Sequence, residues 1–165
     1  MDQKKVLTLC ILHQHPRVLL GMKKRGFGKG RWNGFGGKVE PGETIEEGAI
    51  REMREEAGIL VKDLEKVGII DFAFEGDPVL LEVHVYRTDN FVGEPEESEE
   101  MLPEWFHVDA IPFADMWPDD IYWFPLLLGR KKFKAAFLFG KDDIVLEQKI
   151  VEVETLYLRN KQRPT

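Results

Sequence analysis

The sequence predicts an α+β fold built on a mixed β-sheet. Three observations carry that expectation: strand-like segments predominate along the whole chain, only two stretches read as helices, and those two fall irregularly among the strands. A regularly wound parallel sheet would alternate strand with helix, and this order does not. The 165 residues suffice for one domain with a substantial core. No Pro/Gly/Ser linker and no repeat divides them, so a single domain is expected over 1–156, followed by a polar, basic tail over 157–165.

The elements follow in order. Residues 4–13 (KKVLTLCILH) and 17–23 (RVLLGMK) read as strands joined by the turn QHP, a hairpin by spacing. Residues 26–38 (GFGKGRWNGFGGK) hold six glycines in thirteen positions, too many for a helix, so they form a loop with room for a short strand. Residues 44–58 (TIEEGAIREMREEAG) carry a full set of helix signals. Thr44 and Glu47 make a capping box, Gly58 is a stop, and Ile45, Ala49, Met53 and Ala57 form an apolar stripe. Residues 66–75 and 80–89 read as a strand pair around GDP, 92–101 as an acidic loop, and 103–108 as a short strand. A short helix is expected over 119–129, and the last two apolar segments close the domain as a hairpin.

Composition narrows the function. A content of 43% hydrophobic and 32% charged residues suits a soluble globular protein. No apolar run approaches the roughly 18–20 residues of a membrane span, so no membrane partner is expected. The first residues resemble neither a signal peptide nor an Arg- and Ser-rich transit peptide. Cys10 is the only cysteine, which excludes an internal disulfide and fits a reducing compartment. A net charge of −7 disfavours binding to DNA or RNA duplexes. Such a protein needs local basic groups or a divalent cation to hold a phosphorylated ligand.

The informative stretch is REMREEAG, residues 51–58. Glu52, Glu55 and Glu56 share one helical face beside the apolar stripe, where each like-charge pair costs about 0.2–0.5 kcal/mol. Glutamate is a good helix former, and Arg51 and Arg54 can pair with some of these acids, so a solvated face is one reading. The other is a metal site, because a hard divalent cation such as Mg²⁺ takes oxygen ligands and compensates clustered negative charge. The glycine-rich loop just before the helix favours the second.

As a pattern, residues 37–59 run Gly37, five residues, Glu43, seven residues, Arg51-Glu52, an aliphatic position, one residue, Glu55-Glu56, one residue, Gly58, and an aliphatic position. This resembles the Nudix box at every defined position, the signature of hydrolases acting on a nucleoside diphosphate linked to another moiety. The resemblance implies the Nudix fold, a mixed β-sheet sandwiched between helices. It also implies Mg²⁺, with Mn²⁺ able to substitute, held by Glu52, Glu55, Glu56 and the carbonyl of Gly36, with Glu100 as a further ligand. Arg51 would orient the helix carboxylates, Glu43 would brace the loop, and Glu56 would orient or deprotonate the attacking water.

The similarity extends beyond the box. LLGMKKRGFGKGRWNGFGGKV upstream and MWPDDIYWFPLLL downstream resemble the oxidised purine nucleoside triphosphatases, the MutT-homologue branch of the family. These hydrolyse 8-oxo-dGTP and 2-oxo-dATP to the monophosphate and pyrophosphate, which cleanses the nucleotide pool. The residues also make chemical sense alone. Asp119 and Asp120 are either a helix start, where acids are favoured, or a pair that reads a purine edge, accepting from N1–H and N2–H and donating to O6 through a retained proton. Asn33 offers a donor and an acceptor to the same edge, or is a turn residue before Gly34. Phe27, Phe72, Trp117 and Trp123 suit an aromatic slot around a base, or plain core.

The resemblance places Thr8 and Lys23 at the nucleotide pocket. It adds Phe35, Gly36, Gly37, Lys38, Leu81 and Pro118 to the substrate side. Leu81 stands where that branch carries methionine, and Glu99 where it carries aspartate. The implied partners are oxidised purine nucleoside triphosphates, and the implied state is a monomer in the cytoplasm, with mitochondrion and nucleus as further addresses. The competing readings are a Nudix enzyme for a methylated purine triphosphate or a dinucleoside polyphosphate, and a non-catalytic nucleotide-binding module. The intact box speaks against the last.

Overall fold

Residues 3–156, described by a computed structural model, form an eight-stranded mixed sheet with one helix packed on each face. The expected tail over 157–165 lies outside the described residues. In chain order the strands are β1 (Gln3–Gln14), β2 (Arg17–Lys23), β3 (Trp32–Asn33), β4 (Leu60–Val61), β5 (Glu65–Phe74), β6 (Val79–Thr88), β7 (Phe91–Val92), β8 (Met101–His107), β9 (Lys132–Phe139) and β10 (Val145–Val153). The helices are α1 (Ile45–Ala57) and α2 (Asp120–Leu128). Across the sheet the order is β10-β9-β5-β6-β1-β2-β3, and β8 pairs with β2. Two pairings, β1 with β6 and β5 with β9, are parallel, and the rest of this sheet is antiparallel. That mixture follows from the irregular placing of the two helices.

Alternation along the strands divides the core in two. In β1, Cys10 and Leu12 point to the α1 side with Ala49, Met53 and Ala57, whereas Ile11 points to the α2 side with Trp123, Phe124 and Leu127. In β2, Leu19 joins the first cluster, and Val18 and Leu20 join the second. A one-residue slip would send each set to the wrong face, so two covered faces fix the register. The helix ends obey their local signals. Thr44 Oγ1 accepts from the Glu47 amide at 3.0 Å, and Glu47 Oε1 accepts from the Thr44 amide at 2.9 Å. Gly58 closes the helix in the left-handed region, at φ 71°.

Two elements escaped the sequence. The ribbon of β4 with β7 has two residues per strand, too few to show any periodicity. The other is a wedge in the first hairpin. β1 and β2 pair only from Leu12–Leu19 to Gln14–Arg17 and then diverge, and the glycine-rich loop fills the gap. Its residues run beside β1: Cys10 and Phe35 exchange hydrogen bonds of 2.7 and 3.0 Å, and the Thr8 amide donates to the Gly37 carbonyl at 2.9 Å. A Cβ on Gly36 would overlap the Thr8 backbone, so only glycine lets the loop lie this close.

Candidate active site

The wedge brings the glycine loop to the inner face of α1. Glu56 is 6% exposed, and its Oε1 accepts from the Gly36 amide at 3.0 Å. Burial, then repulsion from Glu52, pushes its carboxyl up to about 8, against the pull of the Gly36 amide and Lys23. Glu52 lies one turn earlier, against Gly37, where any Cβ would overlap its carboxylate. Burial raises its pKa too. These two acids share a largely desolvated corner, and among the described residues Lys23 acts on Glu56 through charge rather than through an ion pair.

Arg51 organises the surrounding carboxylates. Its Nε and Nη2 donate to Glu43 at 2.6 and 3.1 Å, a bidentate grip, and Nη2 also donates to the Lys38 carbonyl at 3.0 Å. Nη1 reaches Glu52 at 3.3 Å and Glu55 at 3.2 Å. Glu43 is held below its ordinary pKa by Arg51 and by the Glu40 amide. The loop and helix are thus tied by one guanidinium. Glu55, with its side chain 57% exposed, faces solvent rather than the corner, because its position on α1 lies farther round from Met53 and Ala57 than Glu56 does.

The expected metal ligands therefore do not all converge. Glu52 and Glu56 do. Glu55 is engaged by Arg51, and Glu100 accepts from Lys23 at 3.1 Å and Arg25 at 2.8 Å. Those two bonds hold Glu100 below its ordinary pKa. Among the described residues no three acidic, His or Cys side chains stand close enough to bind one ion. One buried and one half-buried carboxylate still fit a hard divalent cation, since Glu56 is desolvated and repelled by Glu52, and an oxygen-seeking cation relieves both.

A cavity of about 430 Å³ leads from Glu56 to the start of α2. Thr8, Lys23, Gly36, Gly37, Lys38 and Glu56 line one end. Phe27, Asn33, Phe72, Leu81, Trp117, Asp119 and Asp120 line the rest. Lys23 therefore faces both the cavity and Glu100. Phe72 stacks on Phe137 and Phe139 at 5.8 Å, and Trp117 stacks on Phe27 at 5.0 Å. Two expected lining residues lie elsewhere. Phe35 is wholly buried in the cluster beneath α1, because its place beside Cys10 turns it to that face. Pro118 sits in the turn before α2 and does not line the cavity.

Asp119 and Asp120 are 2% and 7% exposed. Neither caps α2 in the usual way: Asp119 makes no side-chain bond to the helix end, and its Oδ2 accepts instead from Trp123 Nε1 at 2.7 Å. Trp123, 1% exposed and stacked on Phe133, lines the cavity as expected and also donates to Asp119 from beneath. Burial raises both carboxyls, and Asp120 is driven well above the usual range by the added charge of Asp119. Asn33 Nδ2 donates to the Arg31 carbonyl at 3.0 Å, which leaves its carbonyl oxygen free to accept.

Sequence reasoning missed Phe74 and Phe139, which pack at 5.4 Å in the cavity wall, and Arg31 beside Trp117. Alternation within KKFKAAFLFG puts Phe133, Phe137 and Phe139 on one face, a signal for core, but nothing local assigns that face to a cavity. Arg31 carries no signal at all.

Comparison with known proteins agrees with this geometry. The NUDIX domain family matches residues 2–127. An oxidized purine nucleoside triphosphate hydrolase of Danio rerio is 56% identical over 156 residues, covering 94% of this chain and all of that protein. Its namesake in Mus musculus is 57% identical over 155 residues, covering 94% and 99%. The mutator MutT protein of Bacillus halodurans superposes with a TM-score of 0.80 at 31% identity, covering 88% of this chain and 97% of that one. The chain belongs to the Nudix hydrolases, enzymes that generally use divalent metal ions.

Proposed function

We propose that this Nudix hydrolase converts oxidised purine nucleoside triphosphates, 8-oxo-dGTP and 2-oxo-dATP, to the monophosphate and pyrophosphate, with Mg²⁺ as its metal. One observation carries the reading. One cavity has Glu56 at one end and the Asp119–Asp120 pair at the other, with aromatic rings between them, and Glu52 stands outside its lining, against Gly37. Resemblance to the two oxidized purine nucleoside triphosphate hydrolases supports the substrate class.

Each end does different work. At the α1 end, Glu52, Glu56 and the carbonyl of Gly36 would hold the metal. Bound there, a divalent cation neutralises phosphate charge and lowers the pKa of a coordinated water. Glu56 has one oxygen fixed by the Gly36 amide, which leaves the other to orient the attacking water or take its proton. Lys23 can exchange its bond with Glu100 for a phosphate oxygen. Arg51 keeps the glutamates and the loop in place and does not line the cavity.

At the α2 end, Asp119 is tied to Trp123 and accepts from a base, while a proton retained between the two acids supplies a donor to O6. A guanine oxidised at C8 and an adenine oxidised at C2 present different donor orders. A pair that can move one proton suits both. The test is a panel of normal and oxidised triphosphates with Mg²⁺, Mn²⁺ and excess chelator. The expected result is hydrolysis of the oxidised purines that needs the metal, with pyrophosphate as co-product. Equal rates on the unmodified triphosphates would overturn the substrate assignment.

A further inference from the structure

Arg31 has no part in the roles given above, yet it touches three of the recognition elements. Its guanidinium carbon lies 4.1 Å from the centroid of the Trp117 ring, and its Nη1 donates to Asp143 Oδ2 at 3.0 Å. Its carbonyl accepts from Asn33 Nδ2 and from the Lys23 amide, both at 3.0 Å. Asp143 comes from the β9–β10 turn, where it and Asp142 adopt φ of 58° and 60°. Aspartate visits this left-handed region more readily than most residues. The turn thereby sets a carboxylate against a loop more than a hundred residues earlier in the chain.

We propose that Arg31, anchored by Asp143, is the positioning residue that fixes the Trp117 ring, and so determines how tightly the purine is held. The inference rests on the reading of this cavity as a purine site. Tryptophan is the best ring for a cation–π contact, and the attraction strengthens as water is excluded. The side chains of Arg31 and Asp143 are 27% and 35% exposed, so the ion pair limits the freedom of the guanidinium over the ring. Gly28 packs against the same ring: a Cβ there would come within 3.2 Å of Trp117 Nε1. The aromatic wall is thus held in its place before any ligand arrives. Preorganisation of this kind lowers the cost of binding without altering the chemistry at the far end of the cavity. The charge of Arg31 also opposes proton uptake by Asp119 and Asp120, which ties the clamp to the polar edge of the site.

The experiment measures steady-state kinetics on 8-oxo-dGTP, and calorimetric binding of the monophosphate product, for wild type, Arg31→Gln, Arg31→Lys and Asp143→Asn. Arg31→Gln should raise KM and the product Kd by roughly 5–30-fold, with kcat within twofold of wild type. Arg31→Lys, which keeps the charge, should recover most of that loss, and Asp143→Asn should weaken binding by roughly 2–5-fold. A KM for Arg31→Gln within twofold of wild type, or a loss confined to kcat, would overturn the proposal. If Arg31→Gln does not fold, Asp143→Asn decides: unchanged KM and Kd overturn the clamp. A wild-type enzyme that neither hydrolyses 8-oxo-dGTP nor binds its product would instead defeat the purine reading itself.

Discussion

Glu56, with Glu52 beside it, and the Asp119–Asp120 pair mark opposite ends of one cavity, and the difference between the two pairs is instructive. Glu52 and Glu56 lie one helical turn apart, against a glycine loop that offers the Gly36 amide. Asp119 and Asp120 are sequence neighbours above an indole, within a wall of phenylalanines. Both pairs have raised pKa values, with desolvation as the first cause in each. The surroundings assign them different counter-charges. Oxygen-rich surroundings suit a metal ion, whereas an apolar wall with one N–H donor suits a shared proton. In the function proposed above, the same chemical group, duplicated, serves a hydrolytic end and a recognition end.

The sharpest way to separate the ends is to neutralise one acid at each. Glu56→Gln should lower turnover by roughly 10²–10⁴-fold, the range of a positioned acid–base group. Thermal stability without metal should hold or rise, because repulsion with Glu52 is relieved. A Glu56→Gln protein with wild-type kcat would remove the hydrolytic end from the comparison, and a strongly destabilised one would point to a structural role.

At the other end, Asp119→Asn keeps the shape but loses a charge-assisted acceptor worth about 1.5–3 kcal/mol. Efficiency on oxidised purine triphosphates should fall by roughly 10–150-fold, with metal affinity unchanged. Asp120→Asn should fall similarly, with a different balance between 8-oxo-dGTP and 2-oxo-dATP. Kinetics of both variants on both substrates checks this, and values within about twofold of wild type would reduce the pair to a helix start.

The smallest effect is on stability, and its sign separates metal from proton. Folding raises Glu56 from its ordinary 4.5 to about 8. Between those values the folded protein keeps a proton that the unfolded chain has released, so stability falls as pH rises through the window. Melting of metal-free protein should therefore show a decline from pH 5 to pH 8, on the order of 1–3 kcal/mol. Millimolar Mg²⁺ or Mn²⁺ at pH 8 should restore most of it, and in Glu56→Gln both the decline and the metal effect should shrink. The raised Asp119–Asp120 pair contributes a decline of the same sign, which metal should leave untouched. A decline that metal does not reverse would place the whole effect at the recognition end.

How much of this was legible in advance depends on the range of the signal. The capping box, the glycine stop and the apolar stripe of α1 are local, and residues 44–58 carried all of them. The strands of the first hairpin, the β5–β6 pair and the β9–β10 hairpin were legible for the same reason, since alternation is read within a few residues. The fate of each glutamate was not. Helical spacing puts Glu52, Glu55 and Glu56 on one arc, but whether a carboxylate is buried depends on what packs over it. The glycine loop covers Glu56, whereas Glu55 meets Arg51 at the surface and stays 57% exposed.

The sequence by itself determined the α+β class, the helix and its caps, the box of seven fixed residues, and the acids and aromatics available for a site. Each of these follows from neighbours along the chain or from a pattern with fixed spacing. Tertiary structure alone decided that the loop wedges between β1 and β2, that Phe35 turns into the core, and that Trp123 lies beneath Asp119. It alone joined Arg31 to Asp143 across the sheet. The physical reason is that pKa, exposure and stacking are properties of the space around a side chain, and that space is built mostly by residues far away in sequence.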